Sequence, residues 1–325
     1  MRRRDFVARA GAALLAGSRA HGQDAKTYRV AYLALTPGDD TGYKKIFVDR
    51  LRELGLVEGR NLTLVFRSAE GEAQKLPGLA AELVNARPDV LVAGFGTLAA
   101  KAAKDATTSV PVVFSNVGDP LGAGLVSNLR RPGGNVTGFS SLAVDIAGKR
   151  LQLFRELVPA AKRAAVLMNP GTPFSALAVR ELQSAAAASN IALDVIEVRS
   201  GAEIAAAVAR AAQSRPDGLI VLDDPLIFSV RAELIGAVAA QRLPALFTDR
   251  LVAEAGGLAA YGPDRLENFR RAAEYVEKIL KGAAPGDLPV GQSSKFDLVL
   301  NAGTAKAMGF ELPTALVARA DDVIE

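Results

Sequence analysis

The chain has 325 residues, half of them apolar and 23 % charged, with one histidine and neither cysteine nor tryptophan. That length fits two domains of ordinary size, and the missing cysteines exclude a disulfide framework, thiolate metal sites and a cysteine nucleophile. A formal net charge of +4 invites an acidic partner until the charge is located along the chain.

Residues 1–22 begin with Arg2, Arg3 and Arg4, run through an apolar stretch over 10–16 and end in Ala20-His21-Gly22. A basic start, an apolar run too short for a bilayer and a small-x-small end predict an export signal, cleaved near Gly22. Arg3-Arg4-Asp5-Phe6-Val7 fits the twin-arginine pattern. Cleavage takes five of 39 basic and one of 35 acidic residues, so the exported chain holds 34 of each and no net charge. The basicity belongs to the signal, and no nucleic-acid partner is expected. His21 leaves as well, which excludes a Ser-His-Asp triad and histidine metal sites; no metal and no cofactor are expected. No later apolar run is long enough to span a membrane, so a periplasmic chain, not inserted in the membrane after cleavage, is expected.

Short apolar runs then alternate with amphipathic ones. Residues 29–35 read as a strand, 43–54 as a helix with Gly55 at its end, and 62–66 as a strand. A helix over 73–85, a strand over 90–93, a helix over 97–106 and a strand over 110–114 follow. This alternation predicts an α/β fold of parallel strands covered by helices.

The order appears twice. Arg87-Pro88-Asp89 precedes one apolar run and Arg215-Pro216-Asp217 another; Pro111 to Ser115 is echoed by Pro244 to Thr248, and Asn61 to Leu64 by Asn190 to Leu193. The spacings agree, 27 and 26 residues from Asn to Pro and 23 and 28 to the next Pro. Two similar doubly wound lobes are therefore predicted. Lobe one takes 28–138 plus about 262–290, and lobe two 139–261 plus about 291–325. Punctuation at 131–138 and 256–263, a helix over 266–280 and a strand over 296–300 make about three crossings, a hinge rather than a loose linker.

Ligands of such sheets bind beyond the carboxyl ends of the strands, near helix N-termini. Lobe one offers 36–39, 94–97 and 115–119, so Thr36, Thr97, Leu98, Ser115 and Asn116 are candidate ligand residues. Lobe two offers Asn169, Asp223, Asp224, Thr248 and, at the hinge, Tyr261. Thr97 either caps the next helix or joins its N–H groups in holding an anion such as a carboxylate. Asp223 and Asp224 either start a turn before Pro225 or give one carboxylate to a ligand ammonium. Asn169-Pro170 and Asp119-Pro120 read as turns, and Tyr261 either packs at the hinge or meets ligand. Phe95, Phe174 and Phe228 follow strands, and either meet an apolar ligand group or pack on their own loops.

Gly94-Phe95-Gly96-Thr97-Leu98-Ala99 matches a dinucleotide fingerprint, but it follows the third strand and lacks the acidic residue that fingerprint needs. Neither Asp223/Asp224 nor Asp321/Asp322 is a ready-made catalytic dyad, because neighbours on a strand point to opposite faces. No enzymatic activity is expected.

Several motifs together carry a family likeness: Leu51-Arg52-Glu53-Leu54-Gly55, Glu58-Gly59-Arg60-Asn61, Asp119-Pro120-Leu121-Gly122, Arg131-Pro132-Gly133-Gly134-Asn135 and the closing Arg319-Ala320-Asp321-Asp322. From Tyr28 to Glu325 the chain resembles the ABC-transporter substrate-binding proteins of the type I periplasmic fold, in the branch that includes aromatic amino-acid binders. The resemblance implies capture of a small solute and delivery to a membrane permease and its ATPase. It also implies that Thr97 and Ser115 hold a carboxylate and Asp223 an ammonium. A periplasmic sensor that passes occupancy to a membrane receptor is the alternative. The sequence departs from the branch at 257–262, richer in alanine, and at Gln292-Ser293-Ser294-Lys295-Phe296, in place of a Pro-Thr-Lys-Phe.

Overall fold

The computed structural model describes residues 26–37 and 42–325; the export signal, and Gly38 and Asp39 of the expected cleft row, lie outside them. The first apolar runs become β1 (Tyr28–Ala34), β2 (Leu62–Ser68), β3 (Val90–Phe95), β4 (Val112–Val117) and β5 (Val136–Ser140). Between them lie α1 (Tyr43–Glu53), α2 (Leu76–Asn85) and α3 (Thr97–Ala106). The pattern restarts with α4 (Ala147–Leu157), β6 (Arg163–Met168), α5 (Ser175–Ala188), β7 (Ala192–Glu197), α6 (Ile204–Gln213) and β8 (Gly218–Val221). It continues through α7 (Pro225–Ser229), α8 (Arg231–Ala240), β9 (Ala245–Phe247), α9 (Arg250–Glu254) and β10 (Ala259–Pro263). The long α10 (Arg265–Leu280), β11 (Gly291–Gln292), β12 (Phe296–Asn301), α11 (Ala302–Met308), α12 (Thr314–Val317) and β13 (Asp322–Ile324) complete it.

Two sheets result, ordered β2-β1-β3-β4-β5-β11 and β7-β6-β8-β9-β10-β12-β13. Every pairing is parallel except β10 with β12. Helices cover both faces, so β3 and β4 are buried throughout, which is why they read as unbroken apolar runs. The fold is α/β with two similar lobes, as the alternation and the repeat predict.

The repeat has a physical cause. Asp89 accepts from the Arg29 amide of β1 at 2.8 Å, and Asp217 from the Arg163 amide of β6 at 2.9 Å. Each aspartate thus ties the third strand of its lobe to the start of the first one. The echoed prolines match too: Leu91 N–H donates to Pro111 O and Leu219 N–H to Pro244 O, both at 2.8 Å.

The chain passes between the sheets from β5 to α4, from β10 to α10 and from β11 to β12. Helix α10 lays an apolar stripe of Phe269, Ala272, Ala273, Val276 and Ile279 inward and packs on α1 and β4 of the first sheet. Ser293, one of the departures from the family pattern, is buried at the last passage. Its hydroxyl accepts from Asn268 at 2.9 Å and donates to Ser140 O at 3.2 Å.

Gly138, on the strand leading to the first passage, has φ +152° and lies against β4, where an added Cβ would stand 2.0 Å from Phe114 O. Gly138→Ala combines backbone strain with overpacking, and is expected to lower the unfolding free energy by about 3 kcal/mol. Urea unfolding of the purified protein measures it.

Candidate functional site

The carboxyl ends of the two sheets meet across a cleft, and the lobes are in contact there. A Cβ at Gly96 would stand 2.3 Å from Pro225 Cγ. Glycine therefore lets the β3–α3 turn rest on the start of α7, in a backbone conformation (φ +101°) that other residues avoid. The Tyr43 hydroxyl of α1 donates to Asp249, which also caps α9 by accepting from Leu251 N–H at 2.9 Å. Tyr43 stacks on Phe269 at 4.8 Å, and Phe228 of α7 closes on Tyr43 at 5.8 Å and on Phe95 at 5.7 Å. Phe95 and Phe228 thus serve the contact between lobes, while Phe174 packs in the second-lobe core and against Gly118.

Arg265 opens α10 and is buried in this contact. One guanidinium nitrogen meets Asp223 at 2.5 Å; another reaches Asp249 and, at 3.2 Å, Thr248 O. Burial opposes its charge, but Asp223 and Asp249 outweigh burial and hold the guanidinium above its ordinary range. Burial, reinforced by the Asp249 charge, pushes the Tyr43 phenol up, so it stays a donor at neutral pH.

Asp224 belongs to a separate network. It accepts from the Leu226 and Ile227 amides at 2.9 and 3.1 Å, capping α7, and from Thr172 and, at 3.1 Å, Asn169. Asn169 also accepts from Gly171 N–H at 2.9 Å, and Asp119 from Gly122 N–H at 2.8 Å, as their turn readings predict. The structure thus separates the adjacent aspartates, one in a helix cap and the other on an arginine.

Seven buried side-chain atoms have no hydrogen-bond partner among the described residues: Thr97 Oγ1, Ser115 Oγ, both terminal nitrogens of Arg150, Ser175 Oγ, Arg265 Nε, and Asp297 Oδ1, which is ion-paired with Lys295. Thr97 opens α3 without capping it, so its hydroxyl is not used by the helix. Leu98 is half-buried behind it, and Asn116, next to Ser115, accepts from Asn268 at 3.1 Å. Arg150 lies on α4 and donates only through Nε, to Tyr261 O at 3.2 Å. Burial lowers its pKa to about 10, an effect that Asp223 partly offsets. Tyr261 stacks on Phe296 at 6.1 Å, and the Thr36 carbonyl accepts from Ser68 at 2.9 Å.

Sequence reasoning did not single out Tyr43, Arg150 or Arg265. A signal for both arginines was present. Arg150 falls on the apolar stripe of α4 with Ala147, Leu151, Phe154 and Leu157, and Arg265 on that of α10 with Phe269, Ala272 and Val276. A cation at a core position of an amphipathic helix needs an acceptor brought by the fold.

Residues 36–324 match the family described as ABC transporter substrate binding protein. The chain belongs to that family. It is accordingly a solute-binding protein and not an enzyme. It is 29 % identical over 269 residues to a tyrosine-binding protein of Clostridioides difficile (strain R20291), covering 82 % of this chain and 76 % of that one. A conserved domain protein from Vibrio cholerae O1 biovar eltor has a similar structure, with 31 % identity, a TM-score of 0.86, and coverage of 92 % of this chain and 100 % of that one. An ABC domain from Streptococcus pneumoniae in complex with L-Trp follows at 27 % identity and a TM-score of 0.83, covering 92 % and 100 %. Among the described residues, no helix is long and apolar enough to cross a membrane, and no group of three or more His, Asp or Glu is placed to hold a metal ion.

Burial raises the Asp224 pKa to about 6, against the hydrogen bonds it accepts. Between the ordinary value of 3.8 and about 6, the folded chain keeps a proton that the unfolded chain has released. Stability from this group is therefore full at low pH and is lost as pH rises through that window. Asp224→Asn removes the titration. Between pH 4 and 7 the stability of the variant relative to wild type is expected to gain on the order of 3 kcal/mol, read by urea unfolding at both pH values.

Proposed function

We propose that this substrate-binding protein is the extracytoplasmic component of an ABC importer. It is exported to the periplasm, closes its two lobes around a small solute and hands it to a membrane permease and its ATPase. The solute is an amino acid or a related carboxylate.

The observation that carries this reading is the pair of buried, unpartnered hydroxyls of Thr97 and Ser115 at the carboxyl ends of β3 and β4. A buried hydroxyl without a hydrogen bond is costly, so a site that leaves two of them is suited to a ligand that supplies the acceptors. The first turn of α3 adds backbone N–H groups beside Thr97, which favour an anionic acceptor such as a carboxylate. Asp223 lies on the opposite wall; Arg265 occupies Oδ1, and the other oxygen of that carboxylate is suited to a ligand ammonium. The tyrosine-binding relative and the L-Trp complex support an amino-acid class.

Thermal unfolding against amino acids, small amides, carboxylates, sugars and nucleosides tests it. A ligand at a hundred times its dissociation constant is expected to add about 2.7 kcal/mol of stability. With the ligand in hand, Thr97→Val is expected to weaken binding by about 1–3 kcal/mol without destabilising the empty protein, because it removes an unsatisfied group. Equal destabilisation with and without ligand would assign Thr97 a purely structural role.

A further inference from the structure

Arg150 is the least compensated charge in the cleft. It is 1 % exposed, yet two of its three guanidinium nitrogens donate to nothing among the described residues. Its only hydrogen bond uses Nε, which anchors the group to Tyr261 O on β10, beside the second passage of the chain. Asp223, Arg265 and Tyr261 lie within electrostatic reach of it. Asp223 gives it no hydrogen bond; the one that Asp223 accepts comes from Arg265. What remains is a charged fork of N–H groups, held at its base through Nε and unpartnered among the described residues at its two terminal nitrogens. A guanidinium fork matches a planar oxyanion by two parallel hydrogen bonds.

We infer that Arg150 is an oxyanion-binding residue of the cleft, and that the solute presents a carboxylate to the second lobe in addition to the group met by Thr97 and Ser115. This rests on the solute-binding reading above and narrows it to acids with two carboxylates, acidic amino acids included. It sets the chain apart from its tyrosine-binding and L-Trp-bound relatives, whose named ligands are amino acids with uncharged side chains. It also explains why an arginine occupies a core position of α4, where Leu151, Phe154 and Leu157 are its buried neighbours.

Titration calorimetry of the purified protein, unfolded and refolded to strip co-purified solute, tests the inference. The probes are succinate, glutarate, L-glutamate and L-aspartate, against L-tyrosine and L-tryptophan. At least one acid is expected to bind more tightly than either aromatic amino acid. Arg150→Gln is expected to weaken that acid by about 30-fold or more, and Arg150→Lys, which keeps the charge but not the fork, by less. The melting temperature of ligand-free Arg150→Gln should match or exceed that of wild type, since an unpaired buried charge is gone. If Arg150→Gln shows no melting transition, the Lys variant carries the comparison. Undiminished affinity in the variants overturns the role of Arg150 and leaves solute binding standing. Preference for the aromatic amino acids, or binding of none of the six, overturns the acidic class. The broader thermal panel judges the solute-binding reading separately.

Discussion

A guanidinium shut away from water must be met by carboxylates, and Arg265 finds both of its own beyond the ends of β8 and β9, beside the strand that leads into its helix. Its helix packs on the first sheet, whereas Asp223 and Asp249 follow strands of the second. Removing one carboxylate would leave a buried charge uncompensated, which costs far more than an exposed pair contributes. The start of α10 and the oxygen of Asp223 that is already taken both follow from that one arrangement. Tyr43 joins it through Asp249, and Phe95 lies beneath the guanidinium plane at 5.2 Å, so polar and aromatic contacts close the same seam.

The fold was largely legible in the sequence because it is written in local patterns. Apolar runs buried on both faces lack alternation and cannot be surface strands, and the helices between them carry clear stripes. The repeated Arg-Pro-Asp was legible too, although its reason was not: only the structure shows each aspartate holding the amide at the start of the first strand of its lobe. The positions of candidate ligand residues were legible because open sheets gather them at the strand ends. What each residue does there was less so. Asp223 and Asp224 are adjacent in sequence, and nothing local says that one will cap α7 and the other will meet Arg265. Such partners are set by chain segments tens of residues away.

The two lobes are alike in scaffold and unlike in the chemistry they offer the cleft. The first contributes hydroxyls and a helix N-terminus, neutral groups that can turn to suit many acceptors. The second contributes charge, with Asp223, Asp224, Asp249 and Arg150 among the buried polar residues. A duplicated architecture has thus been divided between a neutral wall, which can orient a ligand, and a charged wall, which can choose among ligands. Discrimination from the charged wall is the stronger kind, because a mismatched ligand leaves an ion without its partner.

The seam between the lobes consists wholly of protein groups: Arg265 with its two aspartates, Tyr43 on Asp249, and Phe228 against Tyr43 and Phe95. These groups share partners, so the loss of one is felt by the others: stability changes at Tyr43, Asp249 and Arg265 do not simply add, and the seam behaves as one cooperative unit rather than as a set of separate contacts.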